Sequence, residues 1–413
     1  MGTQTAPGSR ARTNLALLLL FLGTFTMGSA ELVVVGVLQP LATDLGVSAS
    51  AAGFLVTAYA LGLSIGGPIL TALTIRLGRR GLLCSTLTVW LVLNLVAVFT
   101  ANFAVFVVVR ALTGSLQGLF VGLAFTAGIS VVPPQRIGRA FSAVIGGFAV
   151  STALGVPIGT LIGAAGSWEA AFLAIVGLGV LVLAALVLVV PPVPSGGAGN
   201  AWTQARHALA PRVLAVLGLC VLLFAGPYAT LTYITPFLDR VTGISGALIS
   251  AFLLAYGAAT AIGAFGGGRF ADRNAARAIL VANVVLVAAL VLLSFVGKMP
   301  LLVAVALVIW GIAAFGMVPS LQYRIVSLSG PGADLAATLP ASAINAGIAV
   351  GSLVGGWALA THGASAPLVT GIVLSAIAIP VSWATGYLKP PPAIDDGPVS
   401  VTGESMDRSP TVA

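Results

Sequence analysis

Residues Leu15 to Leu38 read LALLLLFLGTFTMGSAELVVVGVL, an apolar run that carries a single charged side chain, Glu31. About 20 apolar residues suffice for a helix to cross the roughly 30 Å of hydrocarbon in a bilayer, so the run predicts a membrane-spanning helix. A carboxylate inside such a helix costs roughly 2.5–3.5 kcal/mol on insertion scales, which makes a functional role the default hypothesis. The alternative is that Glu31 lies near the outer end and reaches lipid headgroups. Counting back from Leu38 and Pro40 places it roughly 10 Å inside that end, which favours function.

The composition extends this prediction from one helix to many. Of 413 residues, 59% are hydrophobic, 7% are charged and 51 are glycine, whereas about a quarter of the residues in a soluble domain are charged. The chain is therefore expected to be a polytopic membrane protein. Its net charge of +8 comes from short basic groups between apolar runs, so we expect no nucleic-acid partner. Cys84 and Cys220 lie far apart in apolar runs and indicate neither a disulfide framework nor a metal site.

Apolar windows predict twelve membrane helices and a division into two bundles. The windows are roughly 15–38, 50–74, 81–100, 103–131, 139–162, 169–190, 213–237, 246–269, 277–297, 301–323, 335–359 and 366–388. The Pro- and Gly-rich stretch 191–211 predicts a linker between the sixth and seventh helices. We thus expect an N-terminal segment 1–14, six-helix bundles at 15–190 and 212–388, and a tail 389–413 that is disordered.

The basic residues predict the orientation of these helices, because cytoplasmic loops of membrane proteins carry an excess of Lys and Arg. Of eighteen basic residues, Arg240 and Lys298 would lie outside, Arg110 falls within the fourth helix, and the other fifteen would lie inside. Both termini are therefore expected in the cytoplasm. The first apolar run is longer than the 7 to 15 residues typical of a signal peptide, so we expect it to stay on the chain.

An internal repeat supports two halves. A shift of 197 positions places Tyr59 on Tyr256, Gly66 on Gly263, Arg76 on Arg273 and Arg80 on Arg277. Two parallel repeats with a substrate site between them are typical of transporters.

The loops that follow the second and eighth helices carry the most specific motif. The first has Thr71 and then Ile75-Arg76-Leu77-Gly78-Arg79-Arg80, and the second has Gly268 and then Asp272-Arg273. They resemble the Gly-x-x-x-Asp-Arg-x-Gly-Arg-Arg signature of the major facilitator superfamily, which implies two pseudo-symmetric bundles of six helices. The resemblance implies a cytoplasmic gate for which the candidate residues are Arg76, Gly78, Arg79, Arg80, Asp272 and Arg273. Thr71 and Ile75 depart from the signature, so Arg76 has to pair elsewhere, and the arginines can instead serve topology alone.

Helix four contains Arg110-Ala111-Leu112-Thr113-Gly114, similar to the Arg-x-x-x-Gly pattern of proton-coupled members of the family. Helices one and four run in opposite directions, so Arg110 is expected at the depth of Glu31. A charged pair facing the cavity would keep the acid ionised until a proton or substrate breaks the pair. The alternative is a static pair that locks two helices together.

Helix five has small residues at every fourth position, namely Gly147, Ser151, Gly155, Gly159 and Gly163. This spacing predicts close approach of a neighbouring helix, and Pro157 predicts a kink. Gly155, Pro157 and Gly159 resemble the family's antiporter motif, which implies export; tight packing alone is the alternative. Helix eleven repeats the ladder with Gly347, Gly351 and Gly355.

The resemblance covers residues 15–388 and is closest to the twelve-helix drug:proton antiporter group, in the branch for arabinose efflux, chloramphenicol resistance and nucleoside export. It is carried by the segments Glu31–Gly36, Trp168–Phe172, Trp310–Gly311, Pro319–Gln322 and Asn345–Gly347. In that family the helices that carry Tyr59, Gln117, Tyr233 and Asn345 line the substrate cavity, which implies a mostly apolar site with a few polar groups. Each of the four can instead form a hydrogen bond between helices.

We therefore expect a proton-coupled exporter of a small, fairly apolar, drug-type molecule that works by alternating access, with Glu31 and Arg110 in the coupling. The alternatives are efflux of a sugar or nucleoside-type metabolite, uptake, and a non-transporting sensor or scaffold. An enzyme is not expected, because ten acids and two histidines form no paired constellation within the helices. Neither Lys298 nor Lys389 follows a phosphate-binding glycine loop, so we expect no ATP. We expect no cofactor, a monomer in the cell membrane, and lipid, substrate and protons as partners.

Overall fold

The fold, taken from a computed structural model, is helical, and no strand occurs in the described residues, which are 7–74, 77–133, 137–189, 206–332, 336 and 339–391. Twelve helices are long and apolar enough to cross a membrane, which confirms the predicted fold class. They are numbered α1 to α12 and span Ala11–Gly36, Ala49–Thr74, Arg79–Phe99, Phe103–Val131, Ala143–Gly163, Trp168–Val189, Pro211–Leu231, Ala247–Ala271, Arg273–Val296, Pro300–Ser329, Leu339–His362 and Ala366–Gly386. Most of the predicted linker and tail lies outside the described residues.

The first helix ends at Gly36, two residues before its predicted end, but a second short helix continues its path. After Gly36 the helix breaks only at Val37, and Leu38–Asp44 adds a short helix. Pro40 suggested an end at Leu38, but it lies in the first turn of the short helix, where a missing N–H loses no intrahelical bond. Glu31 therefore lies thirteen residues before Asp44, which is roughly 20 Å along a helix rather than the predicted 10 Å.

The eighth and ninth helices meet almost without a loop, whereas the sequence predicted a gap between residues 269 and 277. The chain leaves helical geometry at Asn274, with φ −161° and ψ 91°. The Oδ1 atom of Asn274 accepts a hydrogen bond of 3.0 Å from the backbone N–H of Arg277. Asn274 thus caps the first turn of α9, as short polar side chains commonly do.

Two membrane helices contain a wider, π-helical turn. In α2 this turn is Gly62–Gly66, and in the fifth helix, which is helical from Ile137, it is Ser151–Gly155. The second turn lies directly before Pro157, which has no N–H to complete the regular ladder. A π-helical turn thus precedes Pro157, while the predicted kink stays a prediction. Such turns interrupt the hydrogen-bond register and often occur at functional sites.

The two halves, α1–α6 and α7–α12, repeat the same helix contacts. Gly114 of α4 lies against the Tyr59 carbonyl, and Gly311 of α10 lies against the Tyr256 carbonyl, 197 positions later in each case. Gly147 of α5 lies against the Phe21 carbonyl, and Gly347 of α11 lies against the Val221 carbonyl, 200 positions later. These contacts relate α2 and α4 to α8 and α10 by 197 positions, and α1 and α5 to α7 and α11 by 200 positions.

The halves pack against each other through α2 with α11 and through α5 with α8. The Ser50 hydroxyl donates to the Gly356 carbonyl at 2.6 Å, and the Thr235 hydroxyl donates to the Val35 carbonyl at 3.2 Å. Both bonds lie at the end of the bundle away from the chain termini, which we name the far end. They seal the two halves together there.

At the opposite end, named the terminal end, the arginines bond within their own half. Arg12 and Arg80 donate to the carbonyls of Val189 and Val187 at the end of α6. In the second half, Arg212 donates to the Leu328 carbonyl. These bonds satisfy carbonyls that a helix end leaves without an intrahelical donor, and they stiffen each half separately.

The outer surface of the bundle is apolar. Four large apolar side chains are at least 75% exposed, namely Leu73 at 75%, Phe99 at 78%, Leu188 at 79% and Phe295 at 83%. Large exposed side chains of this kind suit contact with lipid chains, because a helix satisfies its own backbone groups and can present apolar side chains to hydrocarbon.

Candidate functional site

The Glu31 carboxylate ends a chain of hydrogen bonds that links three helices of the first half. Its Oε2 atom accepts a hydrogen bond of 2.5 Å from Nε2 of Gln117 on α4. The Gln117 Oε1 atom in turn accepts from the Tyr59 hydroxyl of α2. A carboxylate only accepts and a phenol donates, so the two faces of the amide fit their partners. Glu31 is half-buried, and Tyr59 and Gln117 are buried.

Arg110 is brought to Glu31, but it binds the main chain rather than the carboxylate. Its Nη1 and Nη2 atoms donate to the carbonyls of Ala30 and Glu31 at 2.8 Å each, and Nε donates to the Leu55 carbonyl at 3.3 Å. The guanidinium carbon lies 4.0 Å from the centre of the Tyr59 ring. The proximity predicted from equal depth is therefore present, while the direct carboxylate–guanidinium hydrogen bond that a charged pair suggests is not.

This geometry separates the two tasks of Arg110. Its hydrogen bonds clamp α1, α2 and α4 together, and a cation over an aromatic face adds about 0.5–2 kcal/mol. Its positive charge, fully buried at 1% exposure, also lies close enough to offset the charge of Glu31. Because the bonds go to carbonyl oxygens, a proton on Glu31 would break none of them.

The small-residue ladder of the fifth helix packs on the helix that carries Glu31. Gly155 lies against Ser29, Gly159 against the Val33 side chain and Gly163 against Val37, with no room for a Cβ atom at any of the three. The predicted close approach is confirmed. The ladder fixes the backbone of α1 on both sides of Glu31.

A small cavity lies between the halves, against the part of α1 that follows Glu31. It is lined by Leu32, Val35, Thr152, Leu231, Leu253 and Tyr256, which come from both halves. Glu31 precedes Val35 by four residues and so shares its face of α1. The cavity is therefore a largely apolar space on the side of α1 that carries Glu31, and the second half contributes three of its residues.

None of the four predicted cavity residues is among the residues that line this cavity. Tyr233 is 1% exposed, donates to the Ser352 carbonyl at 2.9 Å, and packs against Gly53 of α2 and against Gly356. It belongs to the far-end seam rather than to the cavity lining. Asn345 donates to the Ala341 carbonyl of its own helix, and its buried Oδ1 has no hydrogen-bond partner. Tyr59 and Gln117 lie in the cluster around Glu31.

The predicted gate residues are only partly described. Gly78 precedes α3 with φ −62° and ψ 119°, and Arg79 begins that helix. Arg80 binds the Val187 carbonyl at 2.6 Å, and Arg273 is exposed at the turn into α9. Arg76 and the side chain of Asp272 lie outside the described residues, so the predicted charge relay stays a prediction.

Sequence reasoning missed the cavity residues Leu32, Val35, Thr152, Leu231, Leu253 and Tyr256 as a group. Aliphatic residues on a membrane helix carry no signal that separates a cavity face from a lipid face. Tyr256 did carry one, because the internal repeat places it at the position of Tyr59.

Known proteins resemble this chain in sequence and in fold. The model of the Major Facilitator Superfamily matches residues 20–339. The chain is 31% identical to the inner membrane transport protein YdhP of Escherichia coli and 30% identical to a chloramphenicol resistance protein of Streptomyces lividans. Each match covers 89% of this chain and 95% of the relative.

Among solved structures, an inward-facing, occupied bacterial homologue of the human lysosomal transporter Spinster matches with a TM-score of 0.74 at 18% identity. The match covers 92% of this chain and 97% of that one, and at this identity it shows the fold. With twelve spans, the family match and these relatives, the chain belongs to the Major Facilitator Superfamily and is a multi-pass membrane transporter, not an enzyme.

Proposed function

We propose that the protein exports a small, fairly apolar, drug-type molecule in exchange for protons. The observation that carries this proposal is the Glu31 carboxylate, half-buried in a membrane helix and hydrogen-bonded to the neutral amide of Gln117. An ionisable group at this depth is costly and by default functional. A proton can join or leave it without breaking the main-chain bonds of Arg110.

In the proposed cycle, protonation of Glu31 and substrate binding alternate. The proton and the substrate occupy the site in turn, so that binding of one accompanies release of the other. The far end is sealed here by the bonds of Ser50 and Thr235, so release there requires both to break. Hydrogen bonds between membrane helices average about 0.6 kcal/mol, which a transporter can exchange readily.

Export of a drug-type molecule is favoured over efflux of a sugar or nucleoside-type metabolite. Four of the six cavity residues are aliphatic, namely Leu32, Val35, Leu231 and Leu253. A sugar presents many hydroxyl groups, and each one buried without a partner costs free energy. A relative named for chloramphenicol resistance and the antiporter-like ladder Gly155, Pro157 and Gly159 support the same direction. Membership of a transporter family argues against a non-transporting sensor or scaffold.

The proposal includes an orientation. We place the terminal end, with its arginines, in the cytoplasm, and we take the chain to act as a monomer whose bundles, 15–190 and 212–388, rock about the linker 191–211. The residues 76–80, with Asp272 and Arg273, form the cytoplasmic gate in this proposal. The excess of Lys and Arg at the terminal end supports a cytoplasmic location for that end.

The test is proton release driven by substrate in everted membrane vesicles. Vesicles with an imposed pH gradient are exposed to chloramphenicol and then to a panel of lipophilic drugs, and a pH-sensitive dye reports proton movement. We expect at least one drug to release protons with the natural chain and none to do so with Glu31→Gln. Asp239→Asn is the matched control, because it removes an exposed acid near the far end by the same change.

The outcomes separate the alternatives. Release that is unchanged in Glu31→Gln removes Glu31 from the coupling. Drug flux in the natural chain without any proton movement contradicts antiport and indicates facilitated diffusion. If nucleosides or sugars drive release and lipophilic drugs do not, the metabolite alternative is correct.

A further inference from the structure

The hydroxyl group of Tyr256 takes no part in the proposed proton coupling. Tyr256 of α8 lines the cavity and is 4% exposed, and its hydroxyl has no hydrogen-bond partner among the residues that the structure describes. A buried polar group without a partner costs about 1–3 kcal/mol. The Trp310 ring holds Tyr256 edge-on, with ring centres 5.3 Å apart. The hydroxyl is thus buried behind the cavity lining and left unsatisfied.

The internal symmetry explains why the partner is missing. In the first half the equivalent hydroxyl, that of Tyr59, donates to the amide of Gln117. The contacts of Gly114 and Gly311 relate these helices by 197 positions, which places Ala314 at the equivalent of Gln117. Alanine cannot accept the bond. The second half therefore keeps the tyrosine and lacks the acceptor.

The lining of the cavity leaves Tyr256 as the available donor. The other hydroxyl in the lining, that of Thr152, already donates to the Phe148 carbonyl of its own helix at 3.2 Å. The nearby guanidinium of Arg110 donates to three main-chain carbonyls. A guest carboxylate would find no free cation here, whereas an uncharged acceptor needs only one donor.

We propose that this cavity binds the apolar part of a substrate that carries an uncharged hydrogen-bond acceptor, such as a carbonyl, nitro or ether oxygen, and that the Tyr256 hydroxyl donates to it. The inference rests on the transport function proposed above and adds the class of substrate. The substrate supplies the oxygen that Gln117 supplies to Tyr59. Molecules of the same size without the acceptor leave Tyr256 unsatisfied and bind less well.

Benzophenone tests this class directly, because it is two apolar rings joined by a carbonyl and, on illumination, it bonds to nearby C–H groups. The full chain is purified into lipid nanodiscs, labelled below saturation, and the labelled peptides are identified by mass spectrometry. We expect label in peptides that contain Leu231 or Leu253, and about two- to tenfold less label there in Tyr256→Phe, as loss of one neutral hydrogen bond predicts. Tyr323→Phe is the control, because Tyr323 is 56% exposed on α10.

Diphenylmethane has the same rings without the carbonyl. We expect unlabelled benzophenone to compete better than diphenylmethane in the natural chain and equally well in Tyr256→Phe. Equal competition in the natural chain, equal labelling of Tyr256→Phe, or label confined to other peptides each overturns the proposal. Labelling needs no pH gradient, so failure of proton coupling in the vesicle test and failure here are separate results.

Discussion

The two halves of this transporter share one backbone arrangement and fill it differently. Gly114 packs on the Tyr59 carbonyl in the first half, and Gly311 packs on the Tyr256 carbonyl in the second. Around this shared contact, the first half holds a charged, hydrogen-bonded cluster and the second holds apolar side chains. The equivalent pairs are Glu31 and Leu231, Tyr59 and Tyr256, Arg110 and Leu307, and Gln117 and Ala314.

The difference indicates a division of labour. Leu307 and Ala314 are buried, so the helix packing does not need charge at these positions. Buried charges are at best weak contributors to stability compared with apolar residues of similar size. The first-half cluster therefore serves something other than packing, which in our proposal is proton coupling. The second half supplies the apolar wall and the free hydroxyl for the substrate.

The largest expected effect comes from replacing Arg110 by an uncharged, unbranched side chain. Arg110→Met leaves Glu31 without a nearby positive charge, and breaking a buried charge pair costs about 3–5 kcal/mol. Leu307→Met, at the equivalent position, keeps an apolar side chain and should cost less than about 1.5 kcal/mol. The midpoint of thermal unfolding in detergent measures both.

A double variant sharpens this result. If the cost of Arg110→Met is an uncompensated carboxylate, adding Glu31→Gln should recover part of the lost stability. A double variant as unstable as Arg110→Met alone would show that the main-chain clamp, and not the charge balance, dominates. Either result refers to stability, so the vesicle assay remains the test of coupling.

The glycine ladders of the two halves should also respond differently. A Cβ atom at Gly159 of α5 would meet Cγ2 of Val33 at 2.6 Å, an atom of a side chain that can move. A Cβ atom at Gly351 of α11 would meet backbone atoms of Ala225 and Ala229, which cannot move without separating the helices. We expect Gly351→Ala to fall near the upper end, and Gly159→Ala near the lower end, of the roughly 1–3 kcal/mol typical of overpacking. Equal losses of thermal stability would contradict this reading of the contacts.

The sequence predicted a helix end correctly where a nearby side chain caps that end. The fourth helix was predicted at 103–131, and Phe103–Val131 forms it, because the Asn102 side chain accepts hydrogen bonds from the N–H groups of Ala104 and Val105. The first helix was predicted to end at Leu38 and ends at Gly36, but Pro40 did not stop the chain from forming a further short helix, because proline is tolerated in the first turn. A proline marks a possible end and does not by itself decide one.

The sequence predicted that Glu31 and Arg110 belong to the site, but it did not predict which hydrogen bonds they form. Depth along antiparallel helices brings Glu31 and Arg110 together, as the structure shows. Whether Arg110 binds the carboxylate or the carbonyls depends on the orientation of α1, α2 and α4 about their own axes. The hydrophobic periodicity of the sequence does not determine that orientation. The cavity depends on how two halves dock, so Leu231 and Leu253 had no sequence signal of their own.

The difference between the halves is also tested by giving Tyr256 the hydrogen-bond acceptor that Tyr59 has in the first half. Ala314→Gln places in the second half the amide that satisfies Tyr59 in the first, so Tyr256 would donate to it and not to a guest. We expect about two- to tenfold less labelling by benzophenone, the effect of one neutral hydrogen bond. Ala314→Leu controls for added volume, because it fills the space and accepts no hydrogen bond. Equal loss in both variants would indicate crowding rather than competition for Tyr256.

The smallest effect is expected where the halves meet at the far end. The Thr235 hydroxyl donates to the Val35 carbonyl at 3.2 Å. Thr235 lies 200 positions after Val35, so the bond joins two residues at equivalent positions of the two halves. Ser50 makes the other far-end bond, to the Gly356 carbonyl at 2.6 Å. Loss of about 0.6 kcal/mol should raise the population open at the far end about threefold for Thr235→Val or Ser50→Ala.

Access to the cavity measures this shift. Leu231→Cys places a thiol in the lining after alanine replaces Cys84 and Cys220, and a membrane-impermeant maleimide added to intact cells reports opening at the far end. The control is Thr232→Val, because the Thr232 hydroxyl bonds only within the second half among the described residues, at 2.8 Å to both Ser352 and Tyr228. If Thr232→Val raises labelling as much as Thr235→Val does, looser packing within one half explains the access. If only the two seam variants raise it, and their combination raises it further, the far-end bonds hold the halves closed and the two dissimilar halves move as separate bodies.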